Sequence, residues 1–299
     1  MSKSRVWLLL VLCNLFWAGN FVFGKFVVAE MPPISITFTR WLFASIILIG
    51  IAHFIEKPKW NTVFKEWPSL TGLAILGIVG YNSVLYYALN FTSPTNASLV
   101  NSFNPGLIAV ASAIYLREKI PRIQVLGILV SFLGVFVIMT KGNLLQIFAT
   151  QYNKGDLLMI GAIIMWTLYS MISKKLTTIP PITSTAVSGL IAVILMAPFA
   201  IAQGIDYAKL STIAVTGIAY ITIFPTICSF IFWNIGVREI GVSKAGVFLN
   251  LNPVFTAVIS LALGQKITIV QVLGGLLVFL GVYITTGMFE KNFIHKSKF

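Results

Sequence analysis

Charge is what this sequence has least of. Only 10% of its 299 residues are Asp, Glu, Lys or Arg, where a water-soluble domain carries about a quarter. Cysteine is nearly absent too. Cys13 and Cys228 lie far apart in apolar stretches. They have neither Cys-x-x-Cys nor metal-ligand spacing, so a disulfide framework and a thiolate metal centre are excluded. Both read as small buried hydrophobes. Acids number eight: Glu30, Glu56, Glu66, Glu118, Asp156, Asp206, Glu239 and Glu290. All fall at or near loops; none sits mid-membrane, and neither His does. A proton relay through a membrane-buried carboxylate lacks its usual parts. A cationic substrate, which would want such an acid, is disfavoured.

What is present is apolar. The hydrophobic fraction is 58% and the mean hydropathy is +0.93, more apolar surface than one soluble fold of this length can hide. Runs near 20 residues read as membrane-crossing helices. Ten are expected, over 5–28, 33–55, 69–90, 94–116, 122–140, 155–175, 180–202, 211–235, 243–264 and 268–288. The first follows Lys3 and Arg5 as a signal peptide would. However, its apolar run is too long for a signal core and no cleavage pattern follows, so it reads as a retained helix.

Loop charge predicts orientation. With the N-terminus inside, fifteen Lys and Arg residues fall on the inner side. Five fall outside: Lys25, Lys141, Lys154, Lys209 and Lys266. This positive-inside bias predicts that both termini are cytoplasmic. The net charge of +13 then reflects topology and anionic headgroups rather than nucleic acid. A nucleic-acid partner would want its basic residues massed on one module. Within Glu56–Pro68, Trp60, Phe64 and Trp67 recur at spacings of four and three, which predicts a short helix in the inner interface. Leu144–Phe148 offers a similar surface segment.

The sequence repeats itself. "QVLGILVSFLGV" at Gln124–Val135 returns as "QVLGGLLVFLGV" at Gln271–Val282. Trp17 and Lys25 are answered by Trp166 and Lys174, Pro32-Pro33 by Pro180-Pro181, and Asn104-Pro105 by Asn252-Pro253, at offsets of 147 to 149. Residues 1–141 and 154–288 are therefore two copies of a five-helix unit, joined by a linker at 142–153 and followed by a basic tail at 289–299. Five is odd, so the second copy enters the membrane from the opposite face. The expected fold class is an all-α membrane protein: ten transmembrane helices as two inverted five-helix repeats, the architecture of secondary transporters. Gly127, Gly134, Gly274 and Gly281, spaced by seven within spans five and ten, read as close-packing faces. A homodimer through these two spans is one use for them.

Transporter sites tend to lie where helices are interrupted near the midplane. Pro105 and Pro253 are such breaks, about ten residues into spans four and nine; each removes a donor from the ladder. Asn101, Asn104, Asn250 and Asn252 flank them. Aromatic and amide residues gather at similar depth: Trp17 and Asn20 in span one, Tyr81, Asn82 and Tyr86 in span three, Trp166 and Tyr169 in span six, Trp233 and Asn234 in span eight. A cavity lined this way suits a small amphipathic solute. Arg40, inside span two, is costly at that depth and a functional candidate. It can attract a substrate carboxylate, snorkel outward, or cap carbonyls of a neighbouring helix.

Several stretches carry a family resemblance. "WAGNF" at Trp17–Phe21, "TRW" at Thr39–Trp41, "YYALNFTSPTNASLV" at Tyr86–Val100 and "LREKI" before Gln124–Val135 resemble the EamA repeat of the drug/metabolite transporter superfamily. "GVSKAGVFLNLNPVF" and "LGQKITIVQVLGGLLVFLGV" resemble its second copy. The resemblance covers nearly the whole chain. It implies ten helices with both ends cytoplasmic, dimer contact through spans five and ten, a central cavity formed by the other eight, and export of amino acids or other small metabolites. The second copy departs from the family's Gly-Glu by reading Gly264-Gln265, whereas Glu118 keeps the acid in the first.

The expected function is therefore secondary transport of small metabolites, amino acids or similar solutes, by alternating access, as an exporter or facilitator. The expected setting is a bacterial plasma membrane, crossed many times. Flipping of a lipid-linked intermediate is the alternative within transport. A membrane enzyme would need an acid, His or Cys cluster that the sequence does not hold. A non-transporting scaffold would not need the deep polar residues. No cofactor and no metal are expected; the expected partners are the solute and membrane lipid.

Overall fold

The computed structural model describes residues 1–140, 142–143, 153–204, 209–264 and 268–285. Among them, every regular element is helical. Ten helices carry the architecture: α1 Lys3–Val27, α2 Pro33–Glu56, α3 Trp67–Leu89, α4 Asn96–Tyr115, α5 Arg122–Ile138, α6 Lys154–Lys175, α7 Pro181–Gln203, α8 Thr212–Ile240, α9 Val242–Ala262 and α10 Ile269–Thr285. Eight are long and apolar enough to cross a membrane, and α5 and α10 are shorter apolar helices. Leu144–Phe148, Lys141, Gln265, Lys266 and the tail 289–299 lie outside the described residues.

Local chemistry sets the ends. Pro33 and Pro181 open α2 and α7, where a missing N–H costs nothing. A capping box between Asn153 and Asp156 opens α6. The left-handed residues that close α2 and α7 are Lys57 (φ 45°) and Gly204 (φ 61°); those after α4 and α9 are Arg117 (φ 54°) and Gly264 (φ 89°). The two copies thus turn alike, the first with a long side chain and the second with glycine. Two limits differ from expectation. α8 continues to Ile240 because Arg238 finds the Ile179 carbonyl at 2.5 Å and the Ser184 hydroxyl at 3.0 Å. The interfacial helix covers only Trp60–Lys65. Pro68 belongs to the first turn of α3, so Trp67 opens α3 instead of closing the short helix.

Packing follows the repeat. α1 lies against α8 and α9, as α6 lies against α3 and α4. α2 faces α7, and α5 faces α10. The glycine stripes explain the last pair. A Cβ on Gly134 would stand 2.6 Å from the Gly274 carbonyl oxygen, and one on Gly281 would stand 2.6 Å from that of Gly127. These glycines bring α5 and α10 together within one chain. Leu126, Leu129, Leu133, Leu273, Leu276 and Leu280 are exposed on the same two helices, an apolar surface suited to lipid.

Both ends of the α2–α7 pair are clasped. Glu56 accepts from the N–H groups of Ile182 and Thr183 at 2.9 and 2.7 Å, capping the first turn of α7. At the other end, the Ser35 hydroxyl donates to Gln203 Oε1 at 2.6 Å.

Candidate functional site

Helices α3 and α8 each contain one stretch of π-helix at matching positions, Ala74–Gly80 and Thr222–Cys228. Such wide turns free carbonyls from the ladder and often mark functional sites. The freed carbonyls are taken up by nearby side chains. Asn82 Nδ2 donates to the Gly77 and Ile78 carbonyls at 2.8 and 3.1 Å. Thr226 donates to Ile221 at 2.7 Å. Trp17 Nε1 donates across to the Pro225 carbonyl at 3.1 Å.

Arg40 neither snorkels nor caps a helix. It is 1% exposed and turns inward among α1, α3 and α8. Its Nε donates to Thr226 Oγ1 at 2.6 Å. Its Nη1 donates to Asn20 Oδ1 at 3.3 Å, to Asn82 Oδ1 at 3.2 Å, and to the Tyr86 hydroxyl. Tyr86 in turn donates to Asn20 Oδ1 at 2.7 Å. Every named partner is neutral. Among the described residues the one ion pair joins the Met1 amino group to Glu239 at 3.6 Å, so no carboxylate balances this cation. A charge held this way costs a great deal, which makes the site receptive to an anionic group.

The second copy carries a related network with the roles exchanged. Tyr169 stands where Asn20 stands in the first copy, and Asn234 where Tyr86 stands. Tyr169 donates to Asn234 Oδ1 at 3.0 Å, Ser173 donates to it at 2.8 Å, and Asn234 Nδ2 donates to Thr185 at 2.9 Å. At the matching position of α7, Ser188 replaces Arg40. The cation is therefore confined to one side of the pseudo-two-fold.

Between the two networks lies an aromatic cluster. Trp17 meets Trp166 at 5.0 Å and Trp233 at 5.7 Å between ring centroids. Trp166 stacks on Tyr169 at 4.8 Å and touches Tyr81 at 4.9 Å. Phe230 stands edge-on to Trp17, Trp41 and Trp166. Trp166 Nε1 is buried without a partner. The paired lysines also acquire a purpose: Lys25 Nζ caps the Leu89 and Thr92 carbonyls at the end of α3, and Lys174 Nζ caps the Arg238 carbonyl at the end of α8, at 2.9 Å.

α4 breaks at Ser102 and Phe103, and α9 narrows to a 3-10 turn over Phe248–Asn250. Pro105 and Pro253 sit in the first turn of the segments that follow. The asparagines at these breaks are buried and turn to other partners. Asn104 Oδ1 faces the Thr167 hydroxyl at 3.1 Å, Asn250 Nδ2 donates to Ser131 at 2.6 Å, and Asn252 Nδ2 donates to Asn14 at 3.0 Å. Asn101 Oδ1 has no partner. The sixteen residues singled out in the sequence thus fall into three groups: the Arg40 cage, the aromatic cluster with its Tyr169–Asn234 network, and the α4–α9 crossing. Sequence reasoning missed Thr226, Phe230, Trp41, Thr185 and Asn14. Pro225 inside an apolar run was the available cue for Thr226; the others carry no local signal.

The model of a family described as the EamA-like transporter family matches residues 5–140 and again 153–287. The chain belongs to that family. This EamA-like protein is 30% identical over 292 residues to YyaM of Bacillus subtilis, an uncharacterized transporter, covering 96% of this chain and 95% of that one. It is also 30% identical over 290 residues to an uncharacterized transporter of Archaeoglobus fulgidus, covering 95% and 98%. A solved crystal structure superposes with a TM-score of 0.76 at 20% identity, covering 95% of this chain and 97% of that one; this likeness concerns the fold. The EamA-like chain is a multi-pass membrane transporter.

Proposed function

We propose that this EamA-like transporter moves small carboxylate-bearing solutes, amino acids or similar amphipathic metabolites, across a bacterial plasma membrane by alternating access, as an exporter or facilitator with both termini cytoplasmic. Arg40 carries this reading. It is a buried guanidinium held by Asn20, Asn82, Tyr86 and Thr226 and, among the described residues, balanced by no carboxylate. A solute carboxylate would supply the missing charge in a fork geometry that arginine suits. The adjoining rings of Trp17, Tyr81 and Trp166 offer apolar and π contact for the rest of the molecule. The two exchanged Tyr–Asn networks, one in each copy, are suited to open in turn.

Flux tests the reading. Protein in liposomes loaded with unlabelled amino acids is expected to exchange labelled ones, and Arg40→Leu is expected to abolish this. A broad panel of carboxylate-bearing metabolites that shows no protein-dependent exchange overturns it.

A further inference from the structure

One cavity stands apart from the Arg40 cage and the aromatic cluster. It has a volume of about 160 Å³ and lies where α1 begins, α8 ends, α9 begins and α10 ends. Its wall holds Lys3 and Trp7 from the first copy, and Glu239, Lys244, Phe248 and Thr285 from the second. A space of this size takes about ten waters, so a phosphate ester fits it.

The charges around this cavity are poorly served by their own helices. Lys3 and Lys244 lie in the first turns of α1 and α9, and Glu239 lies in the last turn of α8. Each stands at the helix end whose dipole disfavours it. Glu239 is compensated by the Met1 amino group, 3.6 Å away. The two lysines are not: among the described residues neither has a carboxylate at ion-pairing distance. The single acid of the cavity is thus engaged, while two ammonium groups border the same hollow. Such a site wants an anion, and lysine binds phosphate as a point charge.

The surroundings point to the source of that anion. The ends of membrane helices mark the level where bilayer meets water, and tryptophans such as Trp7 concentrate there. Leu8, beside Trp7, and Leu280, five residues before Thr285, are exposed apolar side chains on the same two helices. The sequence beyond Thr285 adds Lys291, Lys296 and Lys298, and a basic segment following a membrane helix favours anionic lipid. We propose that this cavity binds the phosphodiester headgroup of an anionic phospholipid of the phosphatidylglycerol class. Lys3 and Lys244 hold the phosphate, Glu239 accepts from a headgroup hydroxyl, and the acyl chains stay in the bilayer. Both copies contribute to the wall, so a bound lipid ties α1 to α8, α9 and α10. The orientation proposed above would make the leaflet cytoplasmic; the site itself does not depend on the solute reading.

The full chain in neutral detergent, without any solute, tests this. Phosphatidylglycerol or phosphatidylcholine is added in mixed micelles, and thermal unfolding and lipid retention through gel filtration are measured. A saturable rise in unfolding temperature and selective retention are expected with phosphatidylglycerol. Lys3→Gln/Lys244→Gln is expected to unfold like the unsubstituted chain without lipid and to lose most of the rise. Lys59→Gln/Lys65→Gln removes the same charge from exposed positions outside the cavity and is expected to keep it. Equal retention of the two lipids by the unsubstituted chain overturns the proposal without recourse to any variant. Equal losses in the two double variants also overturn it, because general surface charge then explains the binding. A rise of the same size with inorganic phosphate at matched concentration overturns the lipid as ligand. These readouts involve no solute, so their failure leaves the Arg40 reading standing, and failure of solute exchange leaves this one.

Discussion

Trp17 and Trp166 meet edge to face, with ring centroids 5.0 Å apart and planes at 88°. They are the same position in the two copies, so their contact lies on the pseudo-two-fold relating those copies. Trp17→Ala is expected to lower stability by about 3–5 kcal/mol, as for other large buried rings, and to abolish flux. Trp17→Phe keeps most of the packing but loses the bond to the Pro225 carbonyl, at about 1–3 kcal/mol for the orphaned acceptor. Denaturant unfolding and exchange in liposomes separate the two effects.

Arg40→Lys keeps the charge and discards the fork. A single ammonium cannot reach Thr226 from one nitrogen and the Asn20, Asn82 and Tyr86 group from another. A folded protein is expected, weakened by about 1–3 kcal/mol for the groups left unpaired, with the loss falling on apparent solute affinity. Concentration-dependent exchange checks this; unchanged affinity would remove Arg40 from solute recognition.

Glycine substitutions should discriminate sharply. A Cβ on Gly134 meets the Gly274 carbonyl oxygen and the Val278 nitrogen, both at 2.6 Å, and backbone cannot yield cheaply. Gly134→Ala is expected to cost about 1–3 kcal/mol by forcing α5 from α10. Gly275→Ala, whose nearest neighbour is a Val254 methyl at 3.5 Å, is expected to be nearly neutral. Thermal unfolding of the pair provides the comparison.

Glu56→Ala removes the cap from the first turn of α7 and one clasp of the α2–α7 pair. The expected loss is about 1–2 kcal/mol. Rescue by Gln should be incomplete, because a neutral amide gains less from the helix N-terminus.

Glu30 predicts a pH effect outside the membrane segments. The Ser211 hydroxyl donates to it at 2.5 Å and the Ser211 N–H at 2.8 Å. The hydroxyl first, then the N–H, hold its carboxyl below the ordinary carboxylate pKa. A lowered folded-state pKa adds stability that is present above the ordinary value and is lost as pH falls through the lowered one. Glu30→Gln should therefore unfold earlier than the unsubstituted protein at neutral pH. The gap should close as pH drops below about 4.3.

The legible part of the site was the part written in residue types. Arg40 stood out because a charge in an apolar run is costly, and the Asn-Pro pairs because proline breaks a ladder. What escaped were partners supplied by distant helices. Thr226 looks like any threonine in a membrane span until the π-turn at Thr222–Cys228 aims it at Arg40. The glycine stripes showed that something packs closely, but not that the partner is the same chain.

The sequence by itself determined the ten helices, their odd number in each copy and hence the inverted relation of the halves. Hydropathy and repetition are read residue by residue along one strand of text, and parity then follows by counting. Only the tertiary structure decided which side chains meet: Trp17 with Trp166, Tyr86 with Asn20, Asn252 with Asn14. Those meetings depend on how helices far apart in sequence rotate and slide to bury small and polar faces against one another, and no local pattern encodes that rotation.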